Sequence, residues 1–111
     1  MEMTDAARSL GALAQETRLS VFRLLVQAGT AGLAAGALAE RLGVANATLS
    51  FHFKELTHAG LIRSRQDGRY IYYSANYAAM NDLLQFLTEN CCQGVQCLSP
   101  EPCCEPEKES R

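Results

Sequence analysis

The stretch Ala37–Ser74, ALAERLGVANATLSFHFKELTHAGLIRSRQDGRYIYYS, decides how this 111-residue chain folds. From about Gly36 to Leu42 the residues Leu38, Ala39 and Leu42 fall on one side at helical spacing. Gly43 breaks that run, and Val44 stands as an apolar residue in what reads as a turn. From about Asn46 to Ala59 the residues Leu49, Phe53 and Leu56 recur at i, i+4 and i+7, and Gly60 stops the pattern. Two short helices joined by a glycine-bearing turn with an apolar residue in it form a helix-turn-helix.

The period then changes. Asp67-Gly68 is a two-residue hairpin signal, read here as a type I′ turn with positive φ at both positions. Its flanks set Ile62, Ser64, Tyr70 and Tyr72 against Arg63, Arg65, Ile71 and Tyr73. The expected fold class is mainly α with a β-hairpin wing, a winged helix-turn-helix.

Working outward to the N-terminus, Ala6, Ala7, Leu10, Leu13 and Ala14 predict a helix over Thr4–Ala14, with Thr4 or Asp5 as its N-cap. A second helix is expected over Glu16–Ala28, with Leu19, Phe22 and Val26 on one side and Leu25 beside them, ended by Gly29. Ala31 to Ala35 reads as a small-residue connector. Towards the C-terminus a last helix starts near Asn76. Tyr77, Met80, Leu84, Leu87 and Cys91 follow at spacings of 3, 4, 3 and 4, and Leu83 and Phe86 widen the stripe. Core packing is the plain reading of such a stripe. Two apolar faces on a helix at the edge of a domain are better explained by pairing with a copy of itself. The expectation is a homodimer through the first and last helices, with Leu10, Leu13, Tyr77, Met80, Leu84 and Leu87 at the interface.

After Gly94 the chain carries Pro100, Pro102 and Pro106 and a high share of charge, which reads as a mobile tail. The expected division is a winged helix-turn-helix DNA-binding and dimerisation domain over residues 1–92 and a flexible cysteine-containing tail over 93–111.

Hydrophobic residues make up 48% of the chain, enough for a core, yet no run of 18 apolar residues exists to span a membrane. The N-terminal MEMTDAARSLGALAQETRL lacks the basic start and apolar run of a secretory signal, so a reducing, cytoplasmic setting is expected. The net charge is −2. The segment from Cys91 on holds all of it, with four glutamates against Lys108 and Arg111, and leaves the first 90 residues neutral. Within those, Arg41 to Arg69 carries five cations against Glu55 and Asp67, a net of +3, compatible with a surface for double-stranded DNA.

The outward side of the Asn46–Ala59 helix displays Asn46, Ala47, Thr48, Ser50, Phe51, His52 and Lys54. Small polar side chains near the start of such a helix reach base edges: Asn suits adenine, Thr a thymine methyl, and Ser donates or accepts. Lys54 and the wing residues Arg63, Arg65 and Arg69 suit phosphates, with Tyr70 beside them. Taken singly, each is more simply a solvated surface residue. The order helix-turn-helix, basic wing and dimer seam carries the reading. His52 and His58 are the two histidines, and no Ser-His-Asp set, phosphate loop or carboxylate pair points to an enzyme.

All five cysteines, Cys91, Cys92, Cys97, Cys103 and Cys104, fall in the last 21 residues. A disulfide framework, a zinc site and a thiolate trap for soft ions are the three chemistries open to them. A reducing compartment and an odd count weigh against the first.

With the preceding ETRLSVFRLL, the opening stretch resembles the ArsR/SmtB family of bacterial metal-sensing repressors over roughly residues 4 to 92. Ser50, His52, Leu56, Ala59, Gly60, Leu61, Gly68, Arg69 and Tyr73 match the family pattern of Ser-x-His, a leucine before Ala-Gly-Leu, a Gly-Arg wing and a tyrosine. The resemblance implies a homodimeric repressor that binds a palindromic operator and leaves when its ligand arrives. The family's zinc sensors carry Asp and His along the last helix; here Asp82 and Glu89 are present without a histidine. Other members carry a Cys-x-Cys-x-x-Cys run in the first helix of the helix-turn-helix, where this chain reads GALAERLG. A third group places a cysteine pair plus one more just beyond the last helix, and NCCQGVQC looks like that group.

Adjacent helical residues point about 100° apart, so Cys91 and Cys92 share one ion only if the helix frays there, which Gly94 eases. The QGVQ link then brings Cys97 back. Three thiolates suit trivalent arsenic, As(III), and antimony, Sb(III), whereas zinc prefers a closed set of four. Cys103 or Cys104 as an auxiliary donor would complete such a set, although tail decoration is the simpler reading of that pair. A methylated arsenical on two thiols, a divalent Zn, Cd or Pb ion, a redox-sensing repressor and a metal-buffering module without DNA binding remain as alternatives.

Overall fold

The computed structural model describes residues 1–91; Cys92, Cys97, Cys103, Cys104 and the expected tail over 93–111 lie outside the described residues. The element order is α1 (Met3–Leu13), α2 (Glu16–Ala28), β1 (Leu33–Ala34), α3 (Ala35–Leu42), α4 (Asn46–His58), β2 (Ile62–Asp67), β3 (Tyr70–Ala75) and α5 (Tyr77–Thr88). Val21, Phe22 and Leu25 of α2, Leu38 of α3, and Leu49, Phe53 and Leu56 of α4 meet Leu61, Ile62 and Ala75 in one core. This is the winged helix-turn-helix expected from Ala37–Ser74.

Several details differ from the sequence reading, each for a local reason. α1 starts at Met3 after Glu2, so neither Thr4 nor Asp5 is its cap. Asp5 sits one turn in, and its carboxylate accepts the Glu2 N–H at 3.2 Å, satisfying a donor the helix itself leaves free. In α2 the buried stripe is Val21, Phe22 and Leu25, and Leu19 is exposed. The helix addresses the core with a face rotated about its axis from the one expected, leaving Leu19 beside Val26 on a surface groove.

The connector holds a strand. Leu33 pairs with Tyr73 and Ala34 with Tyr72, which makes a three-stranded antiparallel sheet in the order β1-β3-β2. Gly32 lets it form: its φ is +74°, and a Cβ there would run into the Tyr73 carbonyl.

The hairpin loop is Gly68–Arg69 rather than Asp67-Gly68, because Asp67 pairs with Tyr70. Only the glycine has positive φ, at the first central position, as in a type II′ turn. The faces also sort differently. The register opposes Ile62 to Ala75, Ser64 to Tyr73 and Gln66 to Ile71, so these share one face, while Arg63, Arg65, Tyr70 and Tyr72 share the other. Burial sets that parity: Ile62 and Ala75 are in the core, and Tyr73 stacks on Phe53 with ring centroids 4.2 Å apart.

Asn76 joins wing to last helix. Its side-chain oxygen accepts the Ala79 N–H at 3.3 Å to cap α5, and its amide donates to the Gly60 carbonyl at 2.9 Å. Tyr77 and Met80 turn into their own chain, packing on the core; the Tyr77 hydroxyl donates to the Val26 carbonyl at 2.8 Å, with that of Leu25 at 3.3 Å. Tyr77 thus ties α5 to α2 within the protomer while its ring stays half-buried. α5 stops at Thr88, Glu89 and Asn90 form a turn with Asn90 at φ of 59°, so Cys91 does not continue the helical seam. Among the described residues no helix is long and apolar enough to cross a membrane.

Candidate nucleic-acid interface

With Leu49, Phe53 and Leu56 fixed in the core, the geometry of α4 leaves Asn46, Ala47, Thr48, Ser50, Phe51 and Lys54 exposed, as read from the sequence. Asn46 is the first residue of the helix, and Ala45 before it has no side chain with which to cap. The Ser50 hydroxyl donates back to the Asn46 carbonyl at 3.0 Å, which leaves its lone pairs outward. Phe51 is 56% exposed, unusual for a phenylalanine and central on the outward face. His52 is half-buried, its ring edge-on to Phe51 at 5.8 Å, and its Nδ1 is buried without a hydrogen-bond partner. It belongs to the flank of the helix rather than to its centre.

The wing lies along the other flank. A groove of about 300 Å³ is lined by Asn46 and Ser50 of α4, by Arg69 and Tyr70 of the wing, and by Ala35 and Gly36 at the start of α3. The structure therefore brings Asn46, Ser50, Arg69 and Tyr70 together. Arg63 and Arg65 stand apart from that groove on the outer face of the sheet, where the Arg65 guanidinium lies 4.9 Å from the Tyr72 ring centroid. Behind the groove, burial pushes the Tyr73 hydroxyl above the usual tyrosine pKa, which keeps it neutral. The arrangement is a helix with a polar outer face beside a cationic, aromatic hairpin, the shape and charge of a surface for duplex DNA.

One residue of this surface escaped the sequence reading. Arg18 of α2 places its guanidinium 5.9 Å from the Phe51 ring centroid. No periodicity marks it, because only tertiary packing brings α2 alongside α4.

On α1 and α5, Leu10, Leu84 and Leu87 are exposed, and Leu13 is half-buried. Leu13, Leu19, Phe22, Val26, Met80, Leu83 and Leu84 line an apolar groove of about 450 Å³. Cys91 follows, half-buried, three residues beyond the end of α5. Among the described residues no three His, Cys, Asp or Glu side chains converge as metal ligands.

A DNA-binding winged helix-turn-helix is the class these features define, and comparison with known proteins agrees. A family model described as a helix-turn-helix domain matches residues 13–65. The arsenical resistance operon repressor of Staphylococcus aureus is 31% identical over 87 residues, 78% of this chain and 81% of that protein. Among solved structures, an ArsR-like transcriptional regulator from Rhodococcus sp. RHA1 is 31% identical with a TM-score of 0.70, covering 82% of this chain and 83% of that one. A second is the homodimeric winged helix-turn-helix DNA-binding domain Mb0332 from Mycobacterium bovis, 28% identical with a TM-score of 0.63, covering 85% and 87%. The chain belongs to the ArsR family of transcriptional regulators, which are DNA-binding proteins and not enzymes.

Proposed function

We propose that this regulator is a cytoplasmic repressor that binds a palindromic operator as a homodimer and is released when Cys91, Cys92 and Cys97 capture As(III) or Sb(III). The observation that carries the reading is placement: every cysteine of the chain follows α5, the first of them three residues past its end. Reduced thiolates select soft ions, and a set of three suits a three-coordinate ion. The name of the Staphylococcus aureus relative supports a metalloid as the inducer.

In this account residues 1–92 are the DNA-binding and dimerisation unit, and 93–111 carry the remaining thiols. Leu10, Leu13, Tyr77, Met80, Leu84 and Leu87 form the seam between copies. The exposed leucines of α5, the apolar groove beside them and the homodimeric Mycobacterium bovis neighbour support that assembly. The two α4 helices then enter successive major grooves about 34 Å apart. Asn46, Ala47, Thr48, Ser50 and Phe51 face base edges, with His52 on the flank, while Lys54, Arg63, Arg65, Arg69 and Tyr70 meet the backbone. Thiolate capture at Cys91 and Cys92 reorganises the end of α5 and changes the spacing of the two reading heads. A coupling of about 1–3 kcal/mol, ordinary for allostery, lowers operator affinity roughly 5–150-fold.

The test is fluorescence anisotropy on promoter DNA from the protein's own operon, with arsenite, zinc and peroxide added in turn. Release by arsenite is expected, and its absence after Cys91, Cys92 and Cys97 are all changed to Ser. Release by zinc or peroxide alone would reassign the thiols, and failure to bind DNA under any condition would sink the repressor reading.

A further inference from the structure

Arg18 has no role in the helix-turn-helix, the wing or the thiol cluster, and its surroundings are those of a cation waiting for an anion. Its Nε is buried with no hydrogen-bond partner, and among the described residues the ion pair is between Arg8 and Asp5, not at Arg18. Buried donors in native proteins are nearly always satisfied, so the orphan calls for an explanation, and the side chain as a whole is only half-buried, which leaves room for an anion at its outer nitrogens. Helix stability does not account for it either. Arg18 is the third residue of α2, at the positive end of the helix dipole, where a cation is disfavoured and an anion is attracted. The Gln15 side chain accepts the Arg18 N–H at 2.9 Å, which fixes the turn from which the side chain leaves.

Its position on α4 gives the partner. Asn46 and Ser50 share a groove with the wing, whereas Phe51, the ring nearest the Arg18 guanidinium, is set about 100° further round the helix from Ser50, away from that groove. A helix with its side chains is about 10–12 Å across and the major groove about 12 Å wide, so each flank of a reading helix lies against one of the two phosphate backbones. Arg69 and Tyr70 serve one flank. Arg18 is the cation on the other.

We propose that Arg18 is a DNA phosphate contact on the strand opposite the one met by the wing, aimed by its contact with Phe51. This rests on the reading above that α4 enters the major groove. The contact carries no base information, and α2 thereby takes part in DNA binding.

The experiment is the salt dependence of operator affinity for the full chain. Each lost phosphate contact lowers the slope of log K against log salt by about 0.9, so Arg18→Gln in a dimer lowers it by nearly two. The drop is expected on operator and unrelated duplex alike, with Arg18→Lys keeping the wild-type slope. An Arg18→Gln slope equal to wild type, on DNA where Arg69→Gln lowers it, overturns the proposal and leaves the operator reading standing; so does an Arg18→Lys slope as low as that of Arg18→Gln. Absence of wild-type DNA binding overturns both. Should Arg18→Gln fold poorly, uncharged methylphosphonates placed singly along each operator strand test the wild-type protein instead. Weakened binding from both strands around each α4 is expected, and sensitivity confined to one strand overturns the assignment.

Discussion

α4 and α5 are helices of 13 and 12 residues, each with one side in the core, and they differ in what they leave outside. α4 buries Leu49, Phe53 and Leu56 and presents Asn46, Thr48, Ser50 and Lys54 around one exposed aromatic ring. α5 buries Leu83 and presents Leu84 and Leu87, each 53% exposed. Polar groups in water cost nothing until something better aligned arrives, so the α4 face is stable alone and selective in company. Exposed leucines are a standing cost, about 1.5–3 kcal/mol for each that a partner buries in full. The two faces therefore suit partners of different kinds, nucleic acid for α4 and a second apolar protein surface for α5.

That contrast breaks if the faces are not independent, and three variants probe it. The largest effect is expected from Leu84→Glu with Leu87→Glu. Burying the exposed half of four leucines per dimer is worth about 3–6 kcal/mol, so sedimentation should show monomers at micromolar concentration while the helical content by circular dichroism stays. A dimer that survives would mean that α5 is not the seam. Next is Asn46→Ala, which should cost about 1–3 kcal/mol of operator affinity, the worth of one well-made base contact, with the oligomeric state untouched. A change in sedimentation instead would join the two faces. The smallest is Tyr77→Phe, which removes the hydroxyl bond to the Val26 carbonyl and should lower stability in urea by about 0.5–1.5 kcal/mol with dimerisation unaffected.

How much was legible in the sequence followed from how local each signal is. α4, its glycine-bearing turn and the wing were readable because Leu49, Phe53 and Leu56 set the period and Gly43, Gly60 and Gly68 punctuate it. β1 was not, since a strand of two residues carries no pattern and forms where Gly32 lets the chain approach Tyr73. The hairpin parity failed for a related reason: Tyr and Arg suit either face of a strand, and only the stacking of Tyr73 on Phe53 decides. Leu19 was misjudged because apolar spacing shows that a face exists and not which neighbour it meets. Arg18 illustrates the limit on the functional side, since its link to Phe51 joins two helices far apart in the chain.

The bond between Tyr77 and α2 has a mechanical consequence. It pins α5 at its first residue, while the exposed Leu84 and Leu87 leave the far end much less engaged with its own chain. The helix is then a lever with its fulcrum at Tyr77 and an arm of about 17 Å to Thr88, at 1.5 Å per residue. A sideways pull of about 1 Å at the Cys91 end turns such an arm through roughly 3°. Because the fulcrum is bonded to α2, which also carries Arg18 beside α4, that rotation is delivered at the base of the DNA-reading head rather than lost in the loop beyond α5.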